Sequence, residues 1–227
     1  MSESDIHRHL SPIKAKKLRL QDGSRSKHAP DKVVSAASLA GVDHSSLISV
    51  RIIDFGQAFM HDTRPPTLGC PVDFFPVELC FGYPASPKSD IWQLAALIFM
   101  AHTDTWLFQV GFPVFVGLVG FAVSYLGPIP DHWKGKFVWD KYGHRGPGPS
   151  MDTSDDPWWF DEEAPTKSLL DRLERRAPGL SQPQRVERER LILDMVAWEP
   201  GARISAAEVV RRLDSPVFFA AADGAED

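Results

Sequence analysis

The chain has 227 residues, a formal net charge of −5, 43% hydrophobic and 24% charged residues. That is the balance of an ordinary globular protein of one domain or slightly more, and no bulk charge points to nucleic acid. Cys70 and Cys80 are the only cysteines; they are spaced for neither a zinc site nor a disulfide framework, and residues 1–5 open no signal-peptide core, so an intracellular protein, cytoplasmic or nuclear, is expected.

Residues 1–47 form a basic arm (Lys14, Lys16, Lys17, Arg19, Arg25, Lys27 and Lys32) mixed with Ser, Gly and Pro. No hydrophobic period is sustained, which predicts mostly loop or disorder. Such an arm is a solvated linker or a contact for an acidic partner. Residues 48–54 read as a strand that ends at Asp54. Ser86-Pro87 reads as a capping serine followed by proline at the first helical position. Ile91, Leu94, Ala95, Ile98 and Phe99 then recur at helical spacing over about 87–102. Ala96 and Leu97 fill the opposite face, so this helix is predicted to be buried nearly all round.

Residues 106–130 hold no charged side chain, long enough to raise a membrane span. Gln109, Pro113, Ser124, Pro128 and four glycines in that stretch argue instead for a loop and a short packed helix. Gly111-Phe112-Pro113 should interrupt the stretch, a helix should run over about 114–126, and Gly127-Pro128 should end it. Both faces of that helix are apolar: Val116, Val119, Gly120 and Val123 on one, Phe115, Leu118 and Ala122 on another. An exposed Val/Phe surface is therefore expected. Residues 140–166 are rich in Gly, Pro and Asp and read as an irregular insert anchored by Trp158-Trp159-Phe160. A helix is expected over 185–198 with Leu191, Ile192, Met195 and Val196 inward. Ser205-Ala206-Ala207-Glu208 reads as a capping box that opens a last helix, with Val209, Val210 and Leu213 inward. An acidic, frayed tail follows at 219–227.

The residues that suggest chemistry begin at Arg51-Ile52-Ile53-Asp54-Phe55-Gly56, where a β-branched run delivers one carboxylate. Gly69-Cys70-Pro71, Phe74-Phe75-Pro76-Val77-Glu78, Ser89-Asp90-Ile91-Trp92 and Pro200-Gly201-Ala202-Arg203-Ile204-Ser205 follow in order. The series resembles the landmarks of the C-terminal lobe of a Ser/Thr protein kinase. Residues 71–99 most resemble fungal relatives of the SR-protein kinases. The likeness covers 50–105 well, 121–139 and 185–218 moderately, and the rest poorly.

The resemblance implies a mainly α fold, a kinase-like C-lobe over 48–218 with a few short strands near the Asp-Phe-Gly segment and an activation segment at 54–78. It implies Mg·ATP as cofactor, with Asp54-Phe55-Gly56 at the nucleotide site, Asp54 as the Mg²⁺ ligand and Phe55 packed behind it. It makes Glu78 and Arg203 a buried ion pair, puts Trp92 in the central buried helix, and has Asp90 brace a catalytic loop or cap the helix. Other family parts do not appear in this sequence. No Gly-x-Gly-x-x-Gly occurs, and nothing before residue 50 suits a five-stranded N-lobe. If Ile6-His7-Arg8-His9-Leu10-Ser11-Pro12-Ile13-Lys14 is a trace of the catalytic loop, His9 stands at the catalytic base and Lys14 where a metal-binding Asn belongs; a lysine there would repel a second Mg²⁺. Cys70 replaces the threonine of the family's Gly-Thr-Pro loop, and residues 28–39 look like an insert seen in fungal relatives. Phosphoryl transfer from Mg·ATP to protein Ser or Thr hydroxyls is thus implied by ancestry but not expected of this chain alone. A pseudokinase that binds a protein, or a fragment of a longer kinase, are the alternatives. The expected partners are proteins, not nucleic acid or membrane.

Overall fold

The computed structural model describes residues 14–34, 51–60, 62–65, 67–110, 115–143 and 167–219. They fall into two compact units that divide between Asp54 and Phe55. The basic arm, expected to be loop, contains a β-hairpin. Strand β1 (Ala15–Lys17) pairs antiparallel with β2 (Lys32–Val34), with Ala15 opposite Val34, Lys16 opposite Val33 and Lys17 opposite Lys32. Leu18 continues the ladder by donating its N–H to the Asp31 carbonyl at 3.0 Å. Three-residue strands are too short to show a period, which is why the pattern of the sequence missed them.

The expected strand at 48–54 is a correction. Arg51, Ile52, Ile53 and Asp54 lie in no strand and are exposed; residues 48–50 lie outside the described residues. No strand occurs near the Asp-Phe-Gly segment among the described residues, where β1 and β2 make the one sheet. β-Propensity expresses packing against neighbours, and Ile52 and Ile53 are largely exposed. Asp54 has φ 62°, the left-handed region, which breaks an extended run.

The second unit is mainly α-helical. Helix α1 (Pro87–Thr103) starts where the sequence says: Ser86 Oγ accepts from Lys88 N–H, Ser89 Oγ accepts from Ser86 N–H, and proline occupies the first turn. Ile91, Trp92, Ala95, Ala96 and Phe99 are buried, but Leu97 and Ala101 are exposed, so the helix keeps a solvent stripe rather than being buried all round. Helix α2 (Phe115–Leu126) ends at Gly127, whose φ of 80° lets its N–H reach the Val123 carbonyl at 3.0 Å. Residues 111–114 lie outside the described residues. The exposed Val/Phe surface expected on α2 is corrected: each of its residues is buried or half-buried, because the helix packs against the turn Val77–Phe81 and its neighbours. No helix among the described residues is long and apolar enough to cross a membrane.

A short helix α3 (Trp139–Tyr142) precedes the region 144–166, which lies outside the described residues with the expected Trp158-Trp159-Phe160 anchor. Helix α4 (Leu169–Arg176) packs on α5 (Gln182–Met195), and α5 packs on α1. Leu191, Ile192, Met195 and Val196 face inward as expected. Helix α6 (Ala206–Leu213) carries half the expected capping box: Ser205 Oγ accepts from Glu208 N–H, while the Glu208 carboxylate turns to Arg211. Val209 is buried but Val210 is exposed, a second correction. Helix α7 (Pro216–Phe219) closes the described chain. Beneath these helices Trp133 gathers Phe81, Tyr83 and Trp198, with ring centroids at 5.1, 4.9 and 5.9 Å.

Candidate functional site

The most completely built polar site joins Glu78 to Arg203 across 125 positions. The turn Val77–Phe81 holds Glu78 in its first residues, and Gly82 ends that turn at φ 79°, a conformation that suits glycine. Arg203 follows the turn Pro200–Ala202. Arg203 Nη1 donates to Glu78 Oε1 at 2.9 Å and Nη2 donates to Oε2 at 2.7 Å, and both side chains are fully buried. This is the bidentate geometry that makes arginine–carboxylate pairs strong. The remaining donors are spent on backbone: Nε on Ala197 O, Nη1 also on Lys88 O, and Nη2 on Trp198 O. Ser89 Oγ donates to Glu78 Oε1 at 2.8 Å, and Lys88 Nζ donates to the carbonyls of Arg203 and Ile204 at 2.5 and 3.2 Å.

The start of α1 is thereby locked onto the pair. Trp92 covers it, with its ring 4.9 Å from the Arg203 guanidinium on one side and stacked on Phe108 on the other. The Trp92 indole N–H has no hydrogen-bond partner among the described residues, consistent with a role in packing. Cys80 is buried beside Glu78: burial, and then the Glu78 charge, push its thiol well above the ordinary value and leave it a neutral, unreactive packing group. A site with its donors and acceptors spent in this way holds the chain together; it has no capacity left for a substrate.

Other motif residues are placed differently. Asp54 is exposed and its side chain makes no hydrogen bond or ion pair among the described residues, and Phe55 is exposed too rather than packed behind a carboxylate. Gly56 lies in a single 3-10 turn, Phe55–Gln57. Gln57 Oε1 accepts from Gly69 N–H at 3.2 Å and ties the two arms of the 57–69 loop; a Cβ on Gly69 would meet that oxygen at 2.9 Å. Mg²⁺ is held by one or two carboxylates together with substrate phosphates. The described residues contain no cluster of three or more acidic, His or Cys side chains that could hold a metal. His9 lies outside the described residues, and Lys14 is exposed. Cys70 takes a contact from Gln93 Nε2 at 3.4 Å, and burial raises its thiol pKa. Among the described residues the Asp90 side chain makes no hydrogen bond or ion pair, and residues 6–13 of the suggested catalytic loop lie outside them; Asp90 stands in the first turn of α1, where a carboxylate is favoured by the helix dipole, while desolvation raises its pKa.

The structure adds roles that the motifs did not assign. Ser89 belongs to the α1 capping box and to the Glu78 network at once. Its position three after the capping serine was the available signal. Arg172 on α4 is buried and donates to Leu107 O, Tyr125 Oη, Thr105 Oγ1 and Trp106 O, with Phe99 under its guanidinium at 4.6 Å. No signal in the sequence distinguished it from neighbouring charges on that helix. A cleft of about 320 Å³ opens between the loop carrying Arg64 and the segment around α3, lined by Arg64, Gly82, Tyr83, Val138, Lys141 and Tyr142. Lys136 Nζ reaches Tyr83 Oη at 3.3 Å at its side. Its wall thus combines two cations and two tyrosines with the apolar Pro65, Leu79 and Pro84.

Compared with known proteins, the chain matches no family model and has no match among curated proteins.

Proposed function

We propose that residues 55–219 form a C-terminal lobe of the Ser/Thr protein-kinase type, related to the SR-protein kinases, which serves as a protein-binding half of a phosphoryl-transfer module and does not itself transfer phosphate. The observation that carries this reading is the buried bidentate contact between Glu78 and Arg203. It joins the two ends of an ordered series of motifs, and the resemblance requires those two residues, of all the charged ones, to meet. The neighbouring placement of Trp92 and of the start of α1 supports it further. Inactivity of the isolated chain follows from the sequence, which has no Gly-rich phosphate loop and no catalytic-loop Asp and Asn, and from the lone carboxylate of Asp54.

A pure interaction module is the second reading. The observation favouring it is that Ile52, Ile53, Phe55 and Met60 are 81, 79, 68 and 72% exposed, a cost in water that a protein partner would remove.

Two measurements test the proposal. An experimental structure of the chain, superposed on protein-kinase C-lobes, should align α1, α5 and the Glu78–Arg203 pair together; failure of any two to align refutes the kinase ancestry. Thermal melting with Mg·ATP should show no shift, whereas a ligand at a hundred times its Kd adds about 2.7 kcal/mol. A clear shift that disappears in Asp54→Asn would restore the nucleotide site and overturn the proposed incompleteness.

A further inference from the structure

The hairpin of β1 and β2 is built against its own electrostatics. Residues 14–34 carry seven Lys and Arg against two Asp, in a chain whose total is −5. Both acids are occupied at the turn end. Asp22 accepts from Ser24 N–H at 2.9 Å, and Asp31 pairs with Arg25 at 3.6 Å. Lys16, Lys17 and Lys32 meet no carboxylate among the described residues, and Lys17 stands directly opposite Lys32. Since Leu18 N–H bonds Asp31 O, the next pair along, Lys17 with Lys32, is the non-hydrogen-bonded kind, whose side chains lie closest. Like charges placed so are destabilising. A two-stranded hairpin with both faces in water is marginal to begin with, and here every strand residue is exposed.

Among the described residues no strand pairs with the outer edge of β2, and the same register fixes what that edge offers. The backbone N–H and C=O groups of Lys32 and Val34 point away from β1. Lys32 and Val34 also share one face of the ribbon, and Val33 holds the other. The edge of β2 therefore presents two backbone pairs, with a cation beside the first and an exposed branched apolar side chain beside the second.

We propose that this edge takes an acidic, extended protein segment as a third strand, with an acidic residue beside Lys32 and an apolar residue two positions along beside Val34. Such a segment satisfies the open backbone groups, neutralises the Lys17–Lys32 pair and covers Val34. A nucleic acid answers less of what is there. No Phe, Tyr or Trp occurs between residues 14 and 34 to stack on a base, and a phosphate backbone gives Val33 and Val34 nothing to pack against. This inference stands apart from the kinase reading, since it uses residues of the first unit alone.

The test titrates the full chain into a labelled, end-blocked peptide of Glu-Thr-Val-Thr repeats, which sets Glu and Val two positions apart on one face of a strand, followed by fluorescence anisotropy at low and high salt. Saturable binding that weakens with salt is expected. Replacing both lysines (Lys17→Glu with Lys32→Glu) should weaken it about tenfold, the effect of turning the exposed cross-strand attraction beside Lys32 into a repulsion, and Lys17→Arg with Lys32→Arg should retain it. Because the Glu variant could lose the hairpin itself, the decisive arm leaves the protein unchanged. A peptide N-methylated at alternate residues on its hydrogen-bonding edge should fail to bind. Equal binding of the methylated peptide, tighter binding of duplex DNA of arbitrary sequence, self-association of the chain in place of peptide binding, or no saturable binding would each overturn the proposal.

Discussion

Glu78 and Arg203 on one side, and Asp54 with Phe55 on the other, are equally sharp as sequence motifs and opposite as structures. The first two are fully buried, and each polar atom of the pair is engaged. The other two are in water, and the carboxylate has no partner among the described residues. A residue kept for packing finds its partner inside the chain, and folding completes its site. A residue kept for a ligand shows its chemistry only when phosphates, metal and a covering lobe are brought to it. In this molecule the buried pair is completed within the chain, and on the proposed kinase reading the residues that would address a nucleotide are not.

The comparison is broken most severely at its buried half. Arg203→Met should cost about 3–5 kcal/mol, because Glu78 is left charged and buried without compensation. Urea unfolding should show the midpoint fall with an unchanged slope. Replacing both partners, Glu78→Leu with Arg203→Met, should recover a good part of that loss, since well-packed apolar groups often substitute for a buried pair. A double variant as unstable as the sum of the singles would mean that the backbone bonds of Arg203, rather than the ion pair, supply the stability. The next effect in size lies one step outward. Ser86→Ala removes the cap of α1 and should cost about 1 kcal/mol, read from the same unfolding curves. It should cost more if loss of the cap also releases Ser89 from Glu78, and the excess measures how tightly helix start and ion pair are coupled.

How much was legible follows from the same contrast. The start of α1, the inward face of α5 and the glycine stop of α2 were written in local chemistry: a capping serine before a proline, a 3.6-residue period, a glycine before a proline. The Glu78–Arg203 contact was legible only through the resemblance, because no local pattern says that residues 125 positions apart touch. The strand expected to end at Asp54 was misread, since β-branched composition reports a wish for neighbours and Ile52 and Ile53 are largely exposed. The hairpin was missed for the converse reason: Lys16, Lys17 and Lys32 look like a solvated run, and only pairing brings Lys17 opposite Lys32. The outward turn of Leu97 and Val210 came from treating a helix as buried on every apolar position, when the bundle covers only part of each helix.

Asp90 sharpens the comparison from the middle: it is exposed on the first turn of α1, yet the protein around it partly strips water from its carboxylate. Burial raises its pKa above the ordinary 3.8, so the folded state holds the proton more tightly than the unfolded state. Its contribution is therefore fully present below the unfolded pKa and lost as pH rises through the folded pKa. Asp90→Asn should raise the melting temperature at neutral pH by a small margin, and the advantage should vanish at acid pH. A variant that is less stable than the parent at neutral pH would show instead that the helix-dipole attraction outweighs the burial cost, or that the carboxylate braces another segment of the chain.

The smallest effect is expected at the exposed half, and its smallness is the informative result. Asp54 sits at φ 62° with its side chain in water. Asn tolerates the left-handed region as readily as Asp, so Asp54→Asn should leave stability within about 0.5 kcal/mol of the parent, with or without Mg²⁺. Phe55→Ser should do the same, because a side chain that is 68% exposed has little burial to lose. In a complete nucleotide cleft the identical change would remove a core aromatic at a cost of about 3–5 kcal/mol. The two outcomes differ by far more than the error of an unfolding curve. A near-zero value places Phe55 in solvent and agrees with a lobe that waits for a partner. A loss of several kcal/mol means that Phe55 is packed in solution, that the segment around Asp54 is built, and that the nucleotide site is nearer completion than the lone carboxylate suggests.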